Sequence, residues 1–186
     1  MKRTTVLFTL LALYGAAGVR LTLGSTERQF DPLSAPSRVV ELAIGERRFE
    51  DALPVARDLQ RAHPGEPLTA FWLATIFHGL ERPREELASW QTYIRLSSAP
   101  AEACPAIAEA AERAGEHTRS LVYYQNCVTF EPNEPDRLVD LGEAWERDHN
   151  LEEAASAYHA AARLDPHNGA LARRIVQLSL RGNRDH

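Results

Sequence analysis

The side chains that most often perform catalysis, the histidines and cysteines, show no catalytic or metal-binding spacing in this sequence. The seven histidines are scattered along the chain, and no His-Glu-x-x-His pair is found among them. A phosphate-binding glycine loop and a nucleophile elbow are also missing. The sequence therefore predicts a protein that is not an enzyme, with no catalytic residue, metal ligand, cofactor or small-molecule substrate.

The two cysteines, Cys104 and Cys127, are too few for a disulfide-rich scaffold and lack the Cys-x-x-Cys spacing of a zinc or redox site. His117 lies between them in sequence, but three ligands without a fourth do not make a zinc site. The two thiols remain free to pair with each other.

Composition limits the class of protein and of partner. With 186 residues, 44% hydrophobic and 25% charged, the chain is expected to fold as one domain or one short repeat array. Its net charge of -5 argues against nucleic-acid binding, which needs an excess of Lys and Arg. A protein partner is expected instead.

The first 24 residues predict an export signal or a membrane anchor. Lys2 and Arg3 precede an uncharged run over residues 4–19, which Arg20 closes. At 1.5 Å per residue this run is about 24 Å long, and it reaches across a hydrocarbon core of roughly 30 Å only if residues up to 23 are included. The basic pair would keep the N-terminus in the cytoplasm and place the rest of the chain on the periplasmic side.

Two outcomes are open for this segment. A retained span over residues 4–23 would make the protein single-pass in the inner membrane, followed by a linker over residues 25–32. Alternatively, the small residues Gly15 to Gly18 would serve as a cleavage site, and the domain would be soluble in the periplasm.

A period of 34 residues organises the chain after this segment, and it is clearest over residues 135–168. Small residues alternate with bulky apolar ones at helical spacing, and a polar turn separates two amphipathic runs. Repeat positions 4, 7, 8, 11, 20, 24, 27 and 32 hold Leu138, Leu141, Gly142, Trp145, Ala154, Tyr158, Ala161 and Pro166. This unit resembles the tetratricopeptide repeat (TPR), a helix-turn-helix motif of 34 residues.

The same register continues without insertion through the units 33–66, 67–100 and 101–134. The second unit departs from the pattern, since Glu86 occupies position 20, where a small residue is usual, and Ser98 replaces the closing proline. Residues 169–186 form a capping helix and tail. The resemblance therefore implies an all-α, right-handed solenoid of four TPR units and a capping helix, preceded by an N-terminal hydrophobic helix.

Family geometry also implies which side chains line the ligand groove. The second unit contributes aromatic and polar residues, and the third and fourth contribute an excess of carboxylates, which favours a partner with a basic or Arg-containing segment. The alternative is a solvated acidic face beside two partly packed aromatics. The expected groove residues are Phe71, Trp72, Thr75, His78, Glu109, Glu112, Asp140, Glu143, Glu146 and Arg147.

The TPR resemblance places Cys104 at position 4 and Cys127 at position 27 of the same helical hairpin, at the same height on facing sides. Export to an oxidising compartment would allow a disulfide between them. Two buried thiols acting as small apolar residues are the alternative.

The function expected from these features is an exported, inner-membrane-anchored scaffold that binds or assembles a partner protein. Two alternatives remain open. The chain could be a permanent structural subunit of a membrane complex, or a periplasmic assembly chaperone resembling the TPR accessories of cytochrome c maturation.

Overall fold

The structure is a computed structural model that describes residues 31, 32 and 34–182. These residues form nine α-helices and no strand. The helices are α1 (Ala35–Gly45), α2 (Phe49–Ala62), α3 (Pro67–Gly79), α4 (Pro83–Leu96), α5 (Cys104–Arg113), α6 (His117–Phe130), α7 (Pro135–Arg147), α8 (Leu151–Leu164) and α9 (Gly169–Gly182), with a short 3-10 helix over Pro100–Ala103 before α5.

The turn within each helix pair has the same backbone conformation. Arg47, Glu81, Gly115 and His149 are 34 residues apart, and they adopt φ values of 59°, 56°, 80° and 60°. A residue in the left-handed region at the end of a helix reverses the chain while satisfying the last carbonyl groups. The 34-residue period of the sequence therefore corresponds to a repeated backbone turn.

Small residues allow the helices to approach closely. A Cβ atom built on Gly142 of α7 would lie 2.6 Å from the ring of Tyr158 on α8, and one built on Gly79 of α3 would lie 2.2 Å from the ring of Phe49 on α2. Each helix packs mainly on its neighbours in sequence. The result is an array of helix pairs, α1/α2, α3/α4, α5/α6 and α7/α8, with α9 packed on α8.

The apolar core is concentrated in the N-terminal part of this array. Ten consecutive residues of α3, from Leu68 to Phe77, are buried. The apolar residues among them belong to a large cluster that extends from Val40 of α1 to Ala111 of α5. The C-terminal helices are held by smaller clusters around Tyr124 and Tyr158.

None of the helices in the described ranges is both long and apolar enough to cross a membrane. The expected signal or anchor over residues 1–24 and most of the linker over 25–32 lie outside the described residues, as does the tail after Gly182.

Candidate protein-binding cleft

A cleft of about 210 Å³ lies where α5 and α7 come together, and most of its lining is charged. Helix α5 contributes Glu109, Glu112 and Arg113, helix α7 contributes Asp140, Glu143 and Arg147, and Tyr124 of α6 completes the lining. The volume is below the roughly 300–1,000 Å³ of typical small-molecule sites. The cleft is therefore suited to a single side chain of a larger ligand.

Five of the expected groove residues, Glu109, Glu112, Asp140, Glu143 and Arg147, meet in this cleft. The array brings them together because the first helix of each pair presents the same face. Residues about 34 apart in sequence therefore become neighbours.

Arg147 organises one side of the cleft. Its guanidinium forms an ion pair with Glu112 and lies 3.9 Å from Glu143. It also lies over the ring of Tyr124, 5.9 Å from the ring centroid. The Tyr124 hydroxyl is 3.4 Å from Glu112, and burial, together with the negative charge of Glu112, raises the pKa of this phenol. Tyr124 therefore remains a neutral hydrogen-bond donor at physiological pH.

Negative charge is in excess in the cleft. Burial raises the pKa of Asp140 above its ordinary value; the nearby charge of Arg137, 3.3 Å away, opposes the rise, whereas Glu143 and Glu109 add to it. Glu109 makes no ion pair within the part of the chain that the structure describes. A cation entering the cleft would relieve this repulsion.

The aromatic anchors expected in the second unit are not available to a ligand. Phe71 is 3% exposed, Trp72 is fully buried and Thr75 is 7% exposed. The ring of Phe71 packs edge-on against Trp90, 5.8 Å away, and Thr75 donates a hydrogen bond to the backbone carbonyl of Phe71. The expectation was wrong because α3 is apolar around its whole circumference, and such a helix is covered on all sides.

His78 is the exposed residue of that expected set, and its Nδ1 lies 3.2 Å from Oε1 of Glu86. Glu86 itself is 2% exposed, and Arg113 donates two hydrogen bonds to it, at 2.6 and 2.7 Å. Trp90 Nε1 lies 3.4 Å from the same carboxylate. The ion pair between Glu86 and Arg113 joins α4 to α5. Sequence reasoning missed it, and the one signal for it was the glutamate at a repeat position that is usually small.

Glu146 was also expected in the groove, but it binds the capping helix. Its carboxylate accepts a hydrogen bond from the Tyr158 hydroxyl at 3.0 Å and from Arg174 Nε at 2.6 Å, and Arg181 lies 3.6 Å away. Only 9% of its side chain is exposed. It faces α9 because it stands at the end of the array, where α9 packs.

The two cysteines lie on two of the helices that line the cleft. Cys104 on α5 and Cys127 on α6 form a disulfide with a Cα–Cα distance of 5.4 Å, and both residues are buried. The bond ties the helix of Glu109 and Glu112 to the helix of Tyr124. In the described ranges, no three His, Cys, Asp or Glu side chains are placed so that they could hold one metal ion.

Known proteins of similar structure share the helical array. MamA, residues 41 to the end, from Desulfovibrio magneticus RS-1 has a TM-score of 0.70 and 15% identity over 84% of this chain and 88% of that one. YrrB, a TPR protein with an unusual peptide-binding site, has a TM-score of 0.64 and 18% identity over 77% of this chain and 75% of that one. TTC0263, a TPR protein of Thermus thermophilus, has a TM-score of 0.57 and 16% identity over 81% and 84%.

No protein-family model and no curated protein sequence matches the chain. The structural likeness nevertheless identifies the fold, which is that of TPR proteins. The expectation of an all-helical TPR fold is thus confirmed.

Proposed function

We propose that this chain is a protein-interaction scaffold whose cleft between α5 and α7 takes up an arginine or lysine side chain of a partner protein. One observation carries the proposal. Four carboxylates line a partly buried cleft beside Arg113 and Arg147, and both arginines are already engaged by carboxylates. A cation with a long apolar stem fits such a site, because it neutralises the excess charge of the cleft and its stem fills the cleft volume.

Binding of short labelled peptides tests this function. Each peptide carries a single arginine among glycines, and a matched peptide carries citrulline, which has the same shape without the charge. The arginine peptide should bind more tightly than the citrulline peptide, and added salt should weaken the binding of the arginine peptide. Glu143→Gln should reduce its affinity about fivefold, as expected for a partly exposed ion pair.

The control is Glu152→Gln, which removes one exposed carboxylate of α8 that does not line the cleft. It should leave the affinity unchanged. Equal binding of the arginine and citrulline peptides would show that the cleft is a solvated acidic surface.

The proposed location is the outer face of an inner membrane, with residues 4–23 retained as a single-pass anchor. The apolar run behind Lys2 and Arg3 supports this topology. The disulfide between Cys104 and Cys127 also supports it, since such bonds persist mainly in oxidising compartments.

A periplasmic reporter fused after His186 tests the topology, and it should be active. The mass of the mature N-terminus then distinguishes an anchor from a cleaved signal. Activity of a cytoplasmic reporter alone would contradict export, whatever the peptide experiment shows.

A further inference from the structure

Within the described part of the chain, no second helix covers the face of the capping helix α9 that corresponds to the covered face of α1, α3, α5 and α7. Repeat position 8 holds Val40, Ala74, Ala108 and Gly142 in the four units, and all four are buried. In α9 the same position is Val176, and it is 58% exposed. The exposed side chain therefore marks the position where a helix would pack.

The apolar surface of α9 extends well beyond what its own array covers. Leu171 and Leu178 are 5% and 3% exposed and pack with Tyr158 and Ala161 of α8. Adjacent to this buried stripe lie Ala172, which is exposed, and Val176, one helical turn further on. Residues four apart lie on one face of a helix, so these two form a continuous small apolar strip.

We propose that this strip of α9 is a docking site for an amphipathic helix of a partner protein, which would occupy the place of the second helix in a fifth pair. The site is separate from the cleft, and it would bind a helix rather than a single basic side chain.

The shape of the missing helix follows from the four complete pairs. Repeat position 24 lies on the second helix of each pair. It is small where repeat position 8 on the first helix is bulky, as in Val40 with Ala56. It is aromatic where position 8 is small, as in Gly142 with Tyr158, whose ring lies 2.6 Å from a Cβ built on the glycine. Ala74 with Trp90 and Ala108 with Tyr124 follow the same rule. Since α9 has Val176, the docked helix should carry alanine or glycine opposite it.

The charge of α9 defines the rest of the partner. The helix carries Arg173, Arg174 and Arg181 and no acidic residue. Arg174 and Arg181 bind Glu146, whereas Arg173 makes no ion pair with any described residue. The partner helix should therefore carry carboxylates beside its apolar stripe. A second copy of α9 is disfavoured as the partner, because its arginines would face the arginines of the first copy.

A matched pair of peptides tests the site on the full chain. The first peptide is residues 150–165 of this protein, an alanine-rich helix with Glu152, Glu153 and Tyr158. The second is the same peptide with Tyr158→Ala. Both are held helical by a side-chain staple on the outward face, because short free helices are marginal in water. Binding is measured by titration, and the Val176 methyl signals are followed by NMR.

The protein should prefer the Tyr158→Ala peptide by about tenfold, because a tyrosine opposite Val176 overpacks the contact. The variant Val176→Ala should reverse the preference, since alanine opposite tyrosine is the combination found in α5 and α6. Alanine is the best helix former, so this variant should remain folded. The Val176 methyl signals should shift on binding.

Three results would overturn the proposal. They are the same order of preference in both proteins, no binding of either peptide, and unshifted Val176 methyl signals. A dimer in sedimentation experiments that Val176→Asp dissociates would also overturn it, and would assign the face to a second copy. None of these outcomes depends on the arginine-peptide experiment at the cleft.

Discussion

At the residue scale, the carboxyl group of Asp140 in the cleft lowers the stability of the fold when it is ionised. The pKa of Asp140 is raised, chiefly by burial, so its ionised form is less favourable in the folded protein than in the unfolded chain. An acid with a raised pKa destabilises the fold above that pKa. Its unfavourable contribution disappears as the pH falls through the raised value.

We therefore expect Asp140→Asn to stabilise the protein by about 0.5 kcal/mol and to lower its affinity for the arginine peptide. The asparagine removes the partly buried charge and keeps the size of the side chain. Urea unfolding at neutral pH and peptide titration measure the two effects. A variant that is less stable than the parent would show that the ion pair with Arg137 outweighs burial.

Glu86 presents the opposite case. Burial alone would raise its pKa, but the hydrogen bonds from His78 and Arg113 and the charge of Arg113 hold the pKa below its ordinary value of 4.5. The stabilisation from its ionised form is complete above pH 4.5 and is lost as the pH falls through the lowered pKa.

Arg113→Ala should destabilise the protein by about 3 kcal/mol, because it removes the positive charge and the two hydrogen bonds that Arg113 provides to a buried carboxylate. Glu86→Ala should cost less, since Arg113 is 38% exposed and water can solvate it. The double variant should recover much of the loss, which unfolding by urea would measure. Equal losses in both single variants would contradict the asymmetry.

Within a helical pair, the distance between the two helices depends on the absence of a single Cβ atom at the contact. Gly142→Ala places a methyl group against the Tyr158 ring, and we expect a loss of about 1–3 kcal/mol from overpacking. Gly65→Ala is the control, because its Cβ would meet no atom within 4 Å. Thermal unfolding compares the two. Similar stability of both variants would show that α7 and α8 can separate without cost.

The pair α5/α6 is additionally cross-linked. Reducing the disulfide, whose cysteines are 23 residues apart, should lower the free energy of unfolding by about 3 kcal/mol in the chain-entropy model. Unfolding with and without reductant measures the loss, and a Cys104→Ala/Cys127→Ala variant, which reductant cannot affect, is the control. Two reactive thiols in the denatured, unreduced protein would contradict the bond.

For the whole molecule, the distribution of the core predicts a gradient of local stability. The large cluster around α3 contrasts with the small clusters near Tyr124 and Tyr158. In an array held by contacts between neighbours, opening begins where those contacts are fewest.

Amide hydrogen exchange should therefore be slowest in α3 and fastest in α9, with opening free energies that differ by several kcal/mol. Mass spectrometry of peptic fragments resolves the helices. Uniform protection from α1 to α9 would show that the array opens only as one unit.

The sequence by itself determined the helical pairs and their register, because the 34-residue period is written in local patterns of small, bulky and turn-forming residues. It also indicated the acidic cleft, because the TPR register puts Glu109, Glu112, Asp140, Glu143 and Arg147 at groove-facing positions in the first helices of adjacent units. The same register placed Cys104 opposite Cys127.

Only the tertiary structure decided which faces are covered. Phe71 and Trp72 stand at positions that line a groove in related arrays, yet they are buried. Glu146 turns to α9, and Glu86 meets Arg113 of the next unit. The physical reason is that a helix pattern states which sides are apolar or charged, whereas burial depends on what packs against each side. That neighbour is supplied by residues distant in sequence or, in the docking that we propose at Val176, by another chain.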